Sequence, residues 1–229
     1  MIASASLALR DMLSPPFRAV LLKSLALTIG VLVLLWMALE WLLAGWISLP
    51  YPWLDTGLSV LAGIALVVGL GFLIAPVTAL VAGLFLDDVA EVVERTHYPG
   101  EPAGRAMPLA RSLLTTLKFF GVVVLVNLVA LPLVLFVGFG FVIFLAANAY
   151  LLGREYFELA ALRFHDDRTA RILRIRNSGS VFGAGLLIAF FLLIPIANIL
   201  TPLFATALMV HMHKRIAAAE RRRGSVLGG

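Results

Sequence analysis

Apolar residues in this chain come in long unbroken runs rather than in alternation. The first extends from about Ala19 to Leu49, with Lys23 and Glu40 as its only charges; the second, from about Leu58 to Leu86, has none. Each exceeds the roughly 20 residues that a helix needs to cross a bilayer. The third, Leu113 to Leu152, has one charge, Lys118, and holds Pro132 and the Gly138/Gly140 pair near its centre. That pattern predicts two helices joined by a tight turn. The fourth, Val181 to Met212, is broken by Pro195 and Pro202.

The broken run is the most informative. At about 1.5 Å per residue, the arm from Val181 to Ile194 reaches about 21 Å, short of a hydrocarbon core about 30 Å thick. The arm from Leu203 is equally short. A re-entrant helical hairpin with its tip at 195–202 fits these lengths, and a pair of short tilted helices is the alternative. A tip inside the membrane is tolerated only against protein or beside water. Asn198 and Thr201 stand where they can satisfy its backbone.

Composition narrows the class. Hydrophobic residues make up 62% and charged residues 14% of 229, against about 25% charged in an average soluble domain. The mean hydropathy is +1.03. No soluble fold of this size hides so much apolar surface. Spanning chains are helices or closed barrels, and long runs without alternation exclude the barrel. The expectation is an all-α integral membrane protein: two long transmembrane helices plus two helical hairpins, at least the last re-entrant, and an N-terminal interfacial helix. Residues 1–215 form a single membrane domain, and 216–229 a basic cytoplasmic tail.

The net charge of +5 reports orientation and contact with anionic lipid, not nucleic acid. If every apolar run is a there-and-back pair, all 18 Lys and Arg residues fall on one face. The connections 50–57, 132–140 and 195–202 on the other face contain none. Both termini are then cytoplasmic, in a bacterial-type inner membrane. Trp36, Trp41, Trp46 and Trp53 form an aromatic belt at the opposite side. Ala3 to Leu13 is weakly amphipathic and ends in Ser14-Pro15-Pro16, which reads as an interfacial helix and a break, not a signal peptide.

Chemistry-bearing motifs are sparse. Zero cysteines exclude disulfides, thiolate metal sites and a thiol nucleophile. There is no GxSxG and no Walker loop, and no residue set supports an enzyme. His211-Met-His213 offers no metal site of its own, because residues two apart on a helix diverge by about 200°. No cofactor is called for. Asp87, Asp88, Glu91 and Glu94 read as a solvated helix face, paired with Arg95 and the arginines of 154–176. The best candidate for chemistry is Pro15-Pro16-Phe17-Arg18. A proline-led helix start offers backbone N–H groups and a favourable dipole to an anion, and Arg18 adds a fork of donors suited to an oxyanion. A snorkelling arginine at a lipid headgroup is the alternative. Glu40, Asn127, Asn148, Asn198, Thr201 and Thr206 are the polar residues inside the apolar runs. Of these Asn198, Thr201, Asn127 and Asn148 are the pore-lining candidates, with helix-packing hydrogen bonds as the competing role.

The order of features resembles the CysZ-type sulfate permease family over about residues 5–213. Phe182-Gly183-Ala184-Gly185, then Ile194-Pro195-Ile196-Ala197-Asn198 and Pro202, carry the strongest match. Ala75-Pro76 followed by Asp87 to Glu94, and Glu155-Tyr156 after the third run, also fit the family pattern. The resemblance implies a channel-like uptake route for sulfate or a related oxyanion, feeding cysteine synthesis, in a homo-oligomer. It also implies an anion site at a glycine–apolar–arginine–arginine turn that opens the first long helix. Here Pro16, Phe17, Arg18 and Ala19 occupy those places. Arg18 is kept, Ala19 replaces the second arginine, and Lys23 stands one turn further on. A non-transporting membrane interaction or assembly protein on the same fold is the alternative function.

Overall fold

The computed structural model describes residues 2–46, 83–108, 140–194 and 200–223, with single helical positions between 57 and 81 and between 110 and 126. Among these residues the structure is all-helical. In chain order the helices are α1 (Ile2–Met12), α2 (Pro15–Trp46), α3 (Leu86–His97), α4 (Gly140–Leu162), α5 (Asp167–Arg176), α6 (Ser178–Leu192) and α7 (Thr201–Arg222). The chain divides into two compact units, Met1–Leu21 with Gly83–Gly229, and Leu22–Ala82, so that the division falls inside α2.

In the second unit, α2 continues as an apolar helix whose Leu22, Ile29, Leu34 and Met37 are exposed, as is Trp41 at 80%. From Pro15 to Leu42 it is long and apolar enough to cross a membrane. Glu40, the one acidic residue in that run, accepts a hydrogen bond of 3.1 Å from the Trp36 indole one turn earlier, and Thr28 bonds back to the Ser24 carbonyl. Both polar groups are satisfied within the helix, which lets the run stay unbroken.

The first unit is built around α7, which packs against α1, α3, α4 and α6. Nearly every side chain of α7 from Thr201 to Ala217 is buried. The expected second arm therefore does not stop near Met212. The helix runs on through His213, Lys214 and Ile216 to Arg222, because Lys214 is buried with a carboxylate partner, Glu101, at 3.0 Å. It also crosses position 216, where composition alone changes character.

The tightest packing joins α4 to α6. Ala149 and Gly153 of α4 meet Val181 and Gly185 of α6 there, within the buried sets Ala149, Gly153, Phe157, Ala160 and Val181, Ala184, Gly185, Ile188. These spacings place each set on one helical stripe. Glycine is required at the crossing: a Cβ on Gly185 would run into the Ala149 carbonyl oxygen, and one on Gly153 would lie 2.7 Å from the Val181 carbonyl oxygen. Small residues that let backbones approach are the usual packing device of helices in lipid.

α5 and α6 meet at 88°. Asp166 caps α5 by accepting the Thr169 N–H at 3.1 Å, and Asn177 at the bend returns its amide to the Leu173 carbonyl. Phe191 and Phe204 stack with ring centroids 4.5 Å apart, bringing the end of α6 to the start of α7. Positions 195–199 of the expected hairpin tip lie outside the described residues, as do Pro132 and Gly138 of the other hairpin.

α1 has two unlike stripes. Ser4, Ala8 and Asp11 are buried, while Ile2, Leu9 and Leu13, on the opposite side, are exposed. The outward side also carries Ser6 and Arg10, and the inward side Ala8 with Met12 packed beside it.

Candidate functional site

The start of α2 is positioned from α1. Leu13 N–H bonds to the Arg10 carbonyl, Ser14 N–H to the Asp11 carbonyl, and Arg18 N–H to the Ser14 carbonyl. Pro15 and Pro16 need no acceptor there. Phe17 is 1% exposed and belongs to the core, so its ring fixes the orientation of the helix start. That orientation turns Arg18 and Ala19 outward, and Lys23 further along α2 is also exposed.

Asp11 does more than close this joint. Its carboxylate, 6% exposed, lies 2.7 Å from His97 Nε2 and 3.0 Å from His211 Nε2. An ionised carboxylate can only accept, so both Nε2 atoms donate. His211 Nδ1 then accepts from the Tyr98 hydroxyl at 2.9 Å. Burial alone would push the Asp11 carboxyl up; the hydrogen bonds from His211 and His97 outweigh it and hold it below the ordinary carboxylate value. The cluster ties the end of α1 to the end of α3 and the middle of α7.

A second polar cluster braces the segment after α3. Arg163 Nε donates to Glu94 Oε1 at 2.7 Å and its Nη1 bonds Asp87. The same two carboxylates accept the Gly104 N–H (2.9 Å) and the Met107 N–H (3.1 Å). A Cβ on Gly104 would press on both Arg163 and Glu94. The expected solvated acidic face is therefore divided. Glu94 is buried and Asp87 half-buried, Glu91 pairs with Arg95, and Asp88 alone is exposed. The pairing with the 154–176 arginines is made by Arg163. Beside this cluster lies a cavity of about 260 Å³, lined by Asp87, Arg105, Arg111, Tyr156, Arg163 and Thr206 among others. Arg111 is held at its rim by both oxygens of Asp167, at 2.8 and 2.9 Å.

The histidines two apart on α7 do diverge. His211 faces Asp11 and Tyr98; His213 sits among Phe157, Phe164 and His165, stacked on Phe164 at 5.1 Å. Its ring nitrogens find no hydrogen-bond partner among the described residues.

Of the pore-lining candidates, Asn148 is buried on α4 and donates to the Phe144 carbonyl at 2.9 Å. Thr201 is buried at the start of α7. Asn127 and Asn198 lie outside the described residues. Thr206 bonds back to the Pro202 carbonyl at 2.8 Å. Sequence reasoning missed Asp11, His97 and Tyr98. The one available signal was an acidic residue in an N-terminal helix that otherwise has an apolar stripe.

Among the described residues the fold is all-helical, with one helix, α2, long and apolar enough to cross a membrane. The chain matches the family described as Sulfate transporter CysZ/Etoposide-induced protein 2.4 over residues 4–202, and it belongs to that family. No curated protein matches the chain. The family is of transporter type.

Proposed function

We propose that the chain is a channel-like permease for sulfate or a related oxyanion, supplying cysteine biosynthesis. The observation that carries this is the exposed Arg18 at the start of α2, held in place by buried Phe17 and the Asp11–Ser14–Arg18 backbone bonds, in a chain of a sulfate-transporter family. Arg18 supplies the charge and fork of donors at the helix start, with exposed Ala19 beside it and buried Phe17 orienting it, since the Arg18 N–H is already taken by the Ser14 carbonyl. Lys23, one turn beyond Ala19, adds a second cation along the same helix. Asn148, Thr201, Asn127 and Asn198 are the proposed polar lining of the route.

The remaining features of the proposal follow from charge. With all 18 Lys and Arg on one side, both termini face the cytoplasm and the chain crosses an inner membrane several times. We propose the 195–202 tip as re-entrant on the length of its first arm, since Val181 to Ile194 reaches only about 21 Å. Residues 1–215 act as one membrane domain, with 216–229 as its basic cytoplasmic end, in which Ile216, Ala217 and Glu220 stay packed in the protein and the exposed arginines meet anionic lipid. The working form is a homo-oligomer, and movement is downhill.

Titration calorimetry with sulfate tests the site. A charge-assisted hydrogen bond contributes roughly 1.5–3 kcal/mol, so Arg18→Ala weakens binding by about 10- to 150-fold. Ala19→Arg strengthens it by adding a second cation, and added salt weakens it over a screening length of about 8 Å. Absence of sulfate binding in both wild type and Ala19→Arg would overturn the anion site and favour an interaction or assembly role.

A further inference from the structure

We propose that Asp11, His97 and His211 form a binding site for a divalent transition-metal ion of the zinc type, independent of the oxyanion site at Arg18. Three helices deliver one ligand residue each, and their donor atoms, a carboxylate oxygen and imidazole nitrogens, all lie within 4.8 Å of one another. Asp11 Oδ1 lies 2.7 Å from His97 Nε2, and Oδ2 lies 3.0 Å from His211 Nε2. Donors about 2.0–2.1 Å from a tetrahedral ion stand roughly 3.3 Å apart, so the site closes when one carboxylate oxygen and the two imidazole donors, already within 4.8 Å of one another, draw in around the ion.

The chemistry of the donors selects the ion. Two imidazoles and one carboxylate suit zinc and its neighbours, whereas magnesium and calcium prefer oxygen ligands throughout. The charge also needs such a partner. Asp11 is buried, and among the described residues its only ionic partners are the two histidines. A dication would meet that charge directly, in place of the hydrogen bonds the two imidazoles supply.

His211 has the supporting group that metal-bound histidines ordinarily have. With metal on Nε2, its proton moves to Nδ1, and the Tyr98 oxygen at 2.9 Å changes from donor to acceptor. Nothing is lost in the exchange, since a hydroxyl serves either role. The edge-on approach of the His97 and His211 rings, with centroids 5.0 Å apart, brings both Nε2 atoms to the same carboxylate. The alternative is a purely structural clamp in which Asp11 accepts two imidazole N–H groups and never takes up metal.

Titration of the purified full chain with zinc chloride separates the two. The proposal expects saturable binding of one Zn²⁺ per chain, reversed by a chelator and not reproduced by Mg²⁺. His97→Ala, at a half-buried position where truncation spares the core, lowers Zn²⁺ affinity by at least about 10-fold. Tyr98→Phe lowers it by about 10- to 100-fold through loss of the supporting hydrogen bond. His165→Ala, in the other histidine group, leaves it unchanged. A wild type without saturable Zn²⁺ binding, or a His97→Ala variant that folds and binds as tightly as wild type, would overturn the proposal and leave the clamp.

Discussion

The α4–α6 crossing and the two polar clusters that join α1, α3, α4 and α7 are closed by opposite means. At the crossing, Gly153 and Gly185 let two backbones approach by having no side chain, one against the Val181 carbonyl and the other against the Ala149 carbonyl. In the polar clusters, Asp11 with His97 and His211, and Arg163 with Asp87 and Glu94, are held by charge and directed hydrogen bonds. The first fails when a methyl group is added. The second fails when one partner is removed, because the other is left charged and buried. An apolar chain of this kind uses both: small residues where the run is unbroken, and polar pairing where the chain turns between runs.

The largest expected effect breaks the polar side. Arg163→Met leaves Glu94 and Asp87 without their cation and removes the brace of the 98–108 segment, a loss of about 3–5 kcal/mol. Arg163→Met with Glu94→Gln and Asp87→Asn should recover much of that loss, because the stranded charges go with the arginine. Thermal unfolding of the purified variants reads both, and a single variant as stable as wild type would show that the charges are relieved elsewhere.

The crossing is sharpened next. Gly185→Ala forces α6 away from the Ala149 carbonyl and costs about 1–3 kcal/mol or more; Gly153→Ala does the same less severely. Gly179→Ala, two turns earlier on α6 with open space around it, gains about 0.4–1 kcal/mol through its reduced backbone freedom. Equal unfolding temperatures for Gly185→Ala and Gly179→Ala would contradict the steric account.

The smallest effect lies between the two regions, at the cap of α5. The Thr169 hydrogen bonds hold the Asp166 carboxyl below its ordinary value. Its contribution is therefore present above about pH 4 and lost as pH falls through the folded value. Asp166→Ala should lower Tm by about 2–4 °C at neutral pH, and the difference from wild type should shrink on acidification below pH 4. A difference that grows on acidification would contradict the cap.

The two regions were unequally legible in the sequence. The apolar run from Val181 and the Phe182-Gly183-Ala184-Gly185 motif announce α6, and the exposed run of α2 is plain from hydropathy alone. Gly185 acquires its meaning only beside Gly153, which no local pattern reveals. The polar cluster was harder still. Asp11 and His211 are 200 positions apart, and Glu94 and Arg163 are 69 apart. Helical spacing separated His211 from His213 correctly but could not name their partners. The same spacing placed Glu94 with its acidic neighbours on a solvated face, when an arginine from another helix turns it inward. The short second arm of the hairpin was misjudged for a related reason: Lys214 marks the end of an apolar run, yet with Glu101 as partner it does not end the helix.

The central claim is that this family member moves an oxyanion by way of Arg18. Purified chain reconstituted into sealed vesicles, with labelled sulfate outside and a sulfate gradient as the only driving force, tests it most directly. The account predicts sulfate entry above protein-free vesicles, a strong reduction in Arg18→Ala, and faster entry at low external concentration in Ala19→Arg. Entry by wild type no faster than in protein-free vesicles, with the protein folded and inserted, would contradict it.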